Sequence, residues 1–352
     1  IGNYMTDSYG VVSGWVFGND GYMGTAITKR GNKKLAWETT SEFNIGLDLG
    51  FFDNRISLSM EYYNRIISDL LVSNKSLPAY NEINTIAANI GKTQGRGFEL
   101  TLSTVNIMNK DWTWSTDFTF YTFKDNWYER DPNWKPAAYE SKKDPIRSYY
   151  SYVSDGLLQV GEKAPAWQPT LVPGQIKLKN LYDTGTSPNV LDQYDKVNLG
   201  SQDPKCTLGL NNTLRYKNLD FNIYFYGEIG RLRGASYYDA WIVGLGNSLT
   251  NVSQQSLHSY TNANQNTTVP NLIESAYDFG DYYHKKINYL RCRNITLGYT
   301  IPVSKSIANS VRISANVSNP FVFTNWNGVD PETDTGNFSY PNVTSFSFGI
   351  DI

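Results

Sequence analysis

The chain has 352 residues, of which 18% are charged and 14% aromatic, and its formal net charge is −2. This balance argues against a nucleic-acid-binding protein, because such a protein needs a basic surface for phosphates. Two cysteines and two histidines leave little basis for metal or redox chemistry, and the sequence has no apolar run of about 18 residues, the length that a transmembrane helix needs.

Nine segments alternate apolar and polar residues with a period of two, which predicts strands with one apolar and one polar face. In the last segment, Phe346, Phe348 and Ile350 share one face, and the residues between them are polar or small. In chain order, the predicted strands are Glu42–Gly50, Ile56–Asn64, Arg96–Thr104, Trp112–Thr122, Lys205–Tyr216, Leu219–Gly227, Lys285–Ile301, Ser310–Ser318 and Val343–Ile352.

The connections between these strands alternate between tight turns and long polar loops. This asymmetry is typical of outer-membrane β-barrels, which have short periplasmic turns and longer extracellular loops. Trp112 and Trp114 follow a short turn, where a periplasmic aromatic girdle is expected. A soluble antiparallel sandwich is the alternative, because its strands also place one face on a core.

We therefore predict an all-β fold for residues 1–352, a segment of a transmembrane antiparallel β-barrel. Residues 1–41 are expected to form an extracellular loop, and residues 42–352 to supply strands and loops. An open sheet would leave unpaired backbone groups in lipid at several kcal/mol each, so the remaining strands are expected to come from another polypeptide. The chain begins at Ile1 without a signal peptide, and both of its ends are expected to continue in a longer protein.

Several segments resemble SusC/RagA-type TonB-dependent transporters and follow one another in that family's order. Each alone is a weak signal, but together they span nearly the whole chain. The segments are 35–48 (LAWETTSEFNIGLD), 89–100 (NIGKTQGRGFEL), 154–159 (SDGLLQ), 173–176 (PGQI), 290–299 (LRCRNITLGY) and 319–332 (NPFVFTNWNGVDPE).

The resemblance implies an outer-membrane importer of Bacteroidetes-type bacteria that takes up oligosaccharides or peptides with energy relayed through TonB. It implies a barrel of about 22 strands, of which this chain would be the C-terminal part, with the plug and the TonB box lying outside it. The implied partners are the remaining N-terminal barrel and plug polypeptide, a SusD-like surface lipoprotein, TonB, and outer-membrane lipid with lipopolysaccharide.

The family commonly has an acidic, calcium-binding type of loop where this chain has residues 183–195. Pro188 stands where a ligand aspartate would sit, and Ca²⁺ needs several oxygen ligands. We therefore expect no calcium in the 183–195 loop and no other cofactor or metal. Cys206 and Cys292 are expected to be unpaired and, from their parity, to lie on opposite faces of the sheet.

Aromatic residues in the long loops are the candidate substrate contacts. Sugar rings have apolar faces that stack on aromatic side chains, and peptide ligands use aromatic side chains too. The alternative is that these side chains pack the loops against one another. The candidates are Trp127, Trp134, Trp167, Tyr237, Tyr238, Trp241 and Trp326.

Two further sets are expected on the strands. One set should face the lumen, where it would brace the plug or line the path. The other should cluster near the outer end of one strand and either bind lipopolysaccharide phosphates or form a solvated rim. The first set is Asp220, Asn222, Tyr224, Tyr226, Arg312 and Asn316, and the second is Lys285, Lys286, Arg291 and Arg293.

No catalytic residue is predicted. His258 and His284 have no suitable nucleophile nearby in the sequence, and the loop aspartates have no framework that would fix a glycosidase geometry. The sequence thus predicts a transporter in the bacterial outer membrane rather than an enzyme. A soluble secreted carbohydrate-binding or adhesin module is the alternative, and it would purify without detergent.

Overall fold

The structure is a computed structural model in which strands predominate. Within the described residues, no helix has both the length and the apolar composition needed to cross a membrane. The described residues are 2–18, 20–76, 85–133, 135–182, 189–234, 254–271, 278–303, 310–326, 328, 330–333 and 340–352.

Seventeen strands, one short α-helix and two 3₁₀ helices make up the described secondary structure. The helices are α1 (Gly2–Met5) and the 3₁₀ helices Gln193–Asp195 and Gln254–His258. The strands are β1 (Ser8–Phe17), β2 (Asp20–Lys29), β3 (Thr39–Phe51), β4 (Ile56–Ser68), β5 (Leu71–Ser76), β6 (Thr85–Asn89), β7 (Lys92–Met108), β8 (Trp112–Glu129), β9 (Ser148–Ser151), β10 (Ser154–Leu157), β11 (Ile176–Leu178), β12 (Val197–Ser201), β13 (Cys206–Tyr216), β14 (Leu219–Gly234), β15 (His284–Pro302), β16 (Ser310–Thr324) and β17 (Ser345–Asp351).

The nine predicted strands form one sheet in the order β17-β16-β15-β14-β13-β8-β7-β4-β3. Every neighbouring pair is also sequential among these nine strands, as in an up-and-down barrel wall. The other eight strands pair as hairpins or small two-stranded sheets outside this wall, namely β1-β2, β5-β6, β9-β12 and β10-β11. The predicted transmembrane β-barrel segment is therefore confirmed as a fold. The region 1–41, predicted as a loop, contains the β1–β2 hairpin.

Strand register lines up the apolar side chains in rows across the sheet. One row runs through Trp114, Leu214, Phe221, Leu297, Ala315 and Phe348. Several of these side chains are exposed, including Leu297 at 48% and Phe348 at 84%. The apolar face of the strands therefore has no covering layer of protein within the described residues.

The apolar face has the height expected of a lipid-facing band. Along β13 it extends from Tyr216, beside Trp112, to Cys206, beside Ile229. These ten residue steps correspond to about 33 Å along the strand, or roughly 25 Å along the membrane normal at a 40° tilt. Outer-membrane barrels carry an apolar band about 25 Å tall, so the strands are long enough to cross.

Several strands are longer than predicted. β8 has 18 residues and β14 has 16, because both continue past their predicted ends, Thr122 and Gly227, at the end that carries the long loops. Alternation of apolar and polar residues is the signal that predicts a strand, and this signal fades where neither face meets lipid. The short turns at the opposite ends match the prediction, and Lys217 in one of them has a left-handed backbone (φ 49°).

The described chain divides into two compact units. The first comprises Ile1–Ile45, Tyr63–Arg96 and Asp125–Lys135, and the second comprises the remainder. In the first unit, Asn89 fixes the segment before β3, because its side chain accepts a hydrogen bond from Ala36 N (2.8 Å) and donates one to Ala36 O (2.9 Å).

In the second unit, the long loops have an apolar core of their own. Ile176 and Leu178 are fully buried in a cluster with Leu157 and Tyr260. Gly174, whose φ is +88°, allows the chain to pass Tyr260, because a Cβ at this position would lie 2.6 Å from that ring. A long loop that carries its own core can hold a fixed shape on the surface.

A β-bulge corrects the expectation for the two cysteines. The register shifts between Cys292 and Asn294, so Cys292 pairs with Phe225 on the apolar side and not with the polar residues. Cys206 pairs with Ile229 on that same side, so the prediction of opposite faces is wrong. Both cysteines are free, as predicted.

Candidate functional site

The polar face of the sheet carries all six residues that were predicted to face the lumen. Asp220 lies opposite Gly298, and Arg312 lies opposite Thr300 on the other side of β15. The Asp220 carboxylate accepts hydrogen bonds from Arg312 Nη2 at 2.6 Å and from Arg312 Nε at 3.2 Å. The ion pair crosses β15 at Gly298, which has no side chain to separate Asp220 from Arg312.

Amide and hydroxyl side chains continue the polar face above this ion pair. Asn222 donates to Asn211 Oδ1 at 2.8 Å and to Thr213 Oγ1 at 3.0 Å. Asn316 donates to Thr296 Oγ1 at 2.9 Å and also to Asn294. These neutral hydrogen bonds join β13 to β14 and β15 to β16, which suits a wall in contact with water or with polar protein.

Two tyrosines occupy the upper part of the polar face. Tyr226 donates to Glu228 Oε1 at 3.1 Å, and the Arg293 guanidinium lies 5.1 Å from the Tyr226 ring centre. Tyr224 lies beside Gly209, where a Cβ would come within 3.5 Å of the Tyr224 hydroxyl. The placement of the predicted lumen set on one polar face is confirmed, and contact with a plug or a substrate stays a prediction.

A buried charge network lies where the sequence suggested a cationic rim. Arg291 Nη2 lies 2.9 Å from Asp330, and these side chains are 4% and 3% exposed. Glu332 accepts from Arg291 Nε and from Arg293, each at 2.7 Å. Arg291 and Arg293 are thus satisfied by the loop that precedes β17, and their assignment to a rim that contacts lipopolysaccharide is wrong.

Asp330 is the centre of this network. Burial raises the pKa of its carboxyl, but backbone N–H donors from Glu332 and Asn342, together with Arg291, more than offset burial and hold the pKa below its usual value. The carboxylate accepts from Glu332 N at 2.8 Å and from Asn342 N at 2.9 Å. Asp330 therefore links the loop to β15, together with Glu332.

Three of the predicted substrate contacts lie in the described part of the chain, and each packs against protein. Trp127 lies beside Gly91, where a Cβ would be 3.4 Å from the indole. Trp167 donates to Leu178 O at 2.8 Å, and Trp326 is 8% exposed. Their surroundings favour the packing alternative, and their contact with a substrate stays a prediction. Trp134, Tyr237, Tyr238 and Trp241 lie outside the described residues.

Other aromatic residues are more exposed than the three candidates in the described part of the chain. Tyr182 is 59% exposed and Tyr194 46% exposed, and both flank Asp195, which is fully buried. The alternation of apolar and polar residues could not have identified these two tyrosines, because they lie in an irregular loop and not in a strand. Only the loop position and the aromatic residue type were available as signals.

The carboxylate of Asp195 is occupied by backbone donors. It accepts from Leu181 N at 2.6 Å, from Tyr182 N at 3.0 Å and from Asp192 N at 2.9 Å. Asp192 in turn accepts from Tyr194 N at 2.7 Å. Residues 183–188 lie outside the described part of the chain, so the expectation of no calcium in the 183–195 loop stays a prediction.

Comparisons with known proteins agree with this geometry. The family model described as "TonB dependent receptor-like, beta-barrel" matches residues 3–319. A TonB-dependent receptor of Formosa agariphila is 29% identical over 96% of this chain and 36% of its own length. The TonB-dependent receptor SusC of Bacteroides thetaiotaomicron is 28% identical over 95% of this chain and 34% of its own length.

The fold is also found among solved structures. The RagAB peptide importer in its "open-open" state matches 99% of this chain and 38% of its own, with a TM-score of 0.77 and 23% identity. The RagAB peptide transporter matches with a TM-score of 0.75. The chain spans little more than a third of the curated relatives that it matches. The resemblance to SusC/RagA-type transporters is confirmed, and the chain belongs to the TonB dependent receptor-like β-barrel family.

Proposed function

We propose that this chain is the C-terminal wall of an outer-membrane importer of the SusC/RagA type. The complete protein would take up oligosaccharides or peptides with energy delivered through TonB. One observation carries this proposal: the same nine strands present an exposed apolar band on one face and a hydrogen-bonded polar face on the other. A barrel wall between lipid and an aqueous or protein-filled lumen needs both faces.

The loop layer supports a partner at the extracellular mouth. The TonB-dependent receptor SusC is a sequence relative of this chain, and the RagAB peptide transporter shares its fold. We infer a SusD-like surface lipoprotein that covers the loops built around Ile176 and Tyr260. The remaining barrel strands would pair with the β3 and β17 edges, because an unpaired edge strand in lipid would leave backbone groups unsatisfied. The plug would lie against the polar face.

A transport role also fits the charged groups better than catalysis does. The buried acids Asp330 and Glu332 are held in ion pairs with Arg291 and Arg293. General acid–base catalysis needs a carboxyl group that can exchange a proton with a substrate near the working pH. We therefore propose no catalytic role for these carboxylates.

The test uses the full-length protein in its own cell envelope. We expect it in the outer-membrane fraction, soluble only with detergent, and co-purifying with a surface lipoprotein. Growth on the imported nutrient should require both this protein and TonB. Recovery of the full-length protein as a soluble monomer without detergent would contradict the proposal and favour a secreted binding module.

A further inference from the structure

Two bulges in the sheet redirect arginine side chains near the ends of β14 and β15 that carry the long loops. On β15, Arg293 is the extra residue, because the pairing with β14 passes from Cys292 directly to Asn294. On β14, Arg231 follows the extra residue Gly230, whose backbone is left-handed (φ 77°). Bulges are common next to functional sites, where they re-aim a side chain.

Both arginines lie on the polar face, where they form one cluster with Tyr226 and Glu228. Arg231 Nη2 is 2.9 Å from Glu228 Oε2, although strict alternation from Glu228 would turn Arg231 to the apolar face. The Arg293 guanidinium lies 5.1 Å from the Tyr226 ring centre, and the Tyr226 hydroxyl donates to Glu228 Oε1 at 3.1 Å. The two bulges therefore bring two guanidinium groups to the polar side of adjacent strands.

The carboxylates of this cluster are buried, whereas the two arginines reach the surface. The Glu228 and Glu332 side chains are 10% and 9% exposed. The Arg231 and Arg293 side chains are 29% and 32% exposed. The cluster therefore presents positive charge on the polar face of the wall.

The two guanidinium groups have N–H donors left for a ligand. A guanidinium has five such donors in a planar fork. Among the described residues, the Arg231 Nε donor is buried without an acceptor. Arg293 is paired through Nη2 with one oxygen of Glu332, and Arg291 holds the other oxygen of that carboxylate. A buried donor without an acceptor is destabilising, so a ligand that supplies acceptors at this point would bind favourably.

Short side chains border the cluster on the neighbouring strand. β13 places Thr207 beside Glu228 and Gly209 beside Tyr226. The Tyr224 hydroxyl lies over Gly209, 3.5 Å from the position that a Cβ would take. A ligand held by the arginines would thus meet hydroxyl groups and tyrosine rings, which suit a polar oligomer.

We infer that Arg231 and Arg293 form a subsite in the lumen that binds carboxylate groups of the imported oligomer. The inference rests on the proposed function, because the polar face meets a substrate only in an importer barrel. The planar fork of arginine matches the two oxygens of a carboxylate, and charge-assisted hydrogen bonds are stronger than neutral ones. The substrate class is therefore an acidic oligomer, whose carboxylates belong either to uronate sugars or to acidic amino acids.

The experiment measures binding to the detergent-purified full-length complex by isothermal titration calorimetry with two pairs of probes. Tetragalacturonate is compared with its neutral methyl ester, and end-blocked tetraglutamate with end-blocked tetraglutamine. For the wild type, we expect the charged member of one pair to bind roughly tenfold more tightly than the neutral member. The pair that shows this preference identifies the source of the carboxylates.

Four variants test the assignment of the two arginines. Arg293→Gln should remove most of the preference, and Arg293→Lys should restore part of it, because lysine keeps the charge without the planar fork. Glu332 retains Arg291 in both variants, so the loop before β17 stays attached. Arg231→Gln is a second, independent test of the subsite. Arg147→Gln is the control, because Arg147 is an exposed loop arginine that pairs with one carboxylate, and it should keep the full preference.

Equal binding of the charged and neutral members in both probe pairs would overturn the inference, and so would a preference that Arg293→Gln and Arg231→Gln both retain. Loss of the surface lipoprotein from the Arg293→Gln complex would show that the arginine holds the lid rather than the substrate. Each variant is checked for the heat-modifiable band of a folded barrel in the outer-membrane fraction. Absence of the wild type from that fraction would contradict the proposed function itself, whereas equal probe binding by a correctly inserted complex contradicts the subsite alone.

Discussion

Asp220 and Arg312 bind each other across β15, directly above Gly298. A Cβ on Gly298 would lie 2.4 Å from Arg312 Nη2 and 2.6 Å from Asp220 Oδ2. The glycine therefore leaves the space in which the two-point ion pair forms. Because Arg312 is also 3.7 Å from Asp351, the pair links β14, β16 and β17 near the ends that carry the short turns.

Replacing Gly298 with alanine should destabilise the sheet. The added methyl group would displace the Arg312 and Asp220 side chains, at a cost of about 1–3 kcal/mol for overpacking and partial loss of the pair. Urea titration of the full-length protein in detergent measures the change in its unfolding midpoint. Gly46→Ala is the matched control, because the nearest atom to its Cβ is 3.7 Å away. Equal midpoints for the two variants would show that the pair relaxes around the methyl group.

A polar cluster inside the apolar band provides a second test. Asn212 Oδ1 accepts from Trp114 Nε1 at 3.1 Å and from Thr116 Oγ1 at 2.7 Å. In lipid, Asn212→Ala would leave these two donors without an acceptor, because no water is present to replace Asn212. The expected loss of folding free energy is about 1–3 kcal/mol. We expect a lower unfolding midpoint in lipid vesicles for this variant.

The neighbouring asparagine is the control for that test. Asn211 lies on the polar face, where it accepts from Asn222 at 2.8 Å, and water can replace its contacts there. Asn211→Ala should therefore cost less than Asn212→Ala. A larger decrease in stability for Asn211→Ala would contradict the assignment of the apolar face as the lipid-facing side.

Much of the fold could be predicted because alternation reports which face of a strand is apolar. The parity of Asp220, Asn222, Arg312 and Asn316 placed them correctly on the polar face. Parity failed at Cys292 because one extra residue in a bulge reverses the faces of everything beyond it.

The charged site was harder to predict from the sequence. Arg291 and Asp330 are separated by 39 residues, and nothing local indicates that a loop folds back to neutralise the strand. The loop tryptophans were chosen by residue type, yet Trp167 and Trp326 stabilise the interior of the loops. Residue type cannot separate a ligand contact from a packing contact, because both use the same apolar ring.

Breaking the Arg291–Asp330 pair should release the loop before β17. Asp330→Asn would leave a buried guanidinium with a weaker partner and would weaken the backbone contacts to Glu332 and Asn342. Removal of one member of a buried ion pair typically costs about 3–5 kcal/mol, so limited proteolysis within residues 325–344 should accelerate strongly.

Asp155→Asn is the control for that change. Asp155 forms an exposed pair with Lys179 at 3.6 Å, with side chains that are 54% and 45% exposed. Such pairs contribute about 0–1 kcal/mol, so proteolysis should hardly change. Similar protection in Asp330→Asn and the wild type would show that the other contacts suffice to hold the loop.

Acidification should loosen the loop layer through His284. The His284 ring lies 4.3 Å from the Tyr149 ring, and burial lowers the pKa of the imidazole, which Asp281 only partly opposes. Because the folded pKa lies below the unfolded value of about 6.5, the stabilisation is complete above that pH. It is lost as the pH falls through the unfolded pKa towards the folded one.

Proteolysis of the loops around β9 and β15 should therefore accelerate as the pH falls from about 7.5 to below about 6.5. His284→Phe keeps an aromatic ring against Tyr149 but cannot take up a proton, so its proteolysis rate should vary less with pH. His258→Phe, at an exposed position, should keep the wild-type pH dependence. If His284→Phe retains the full acceleration, another titrating group must control the opening of the loops, because the phenylalanine ring of that variant cannot become charged.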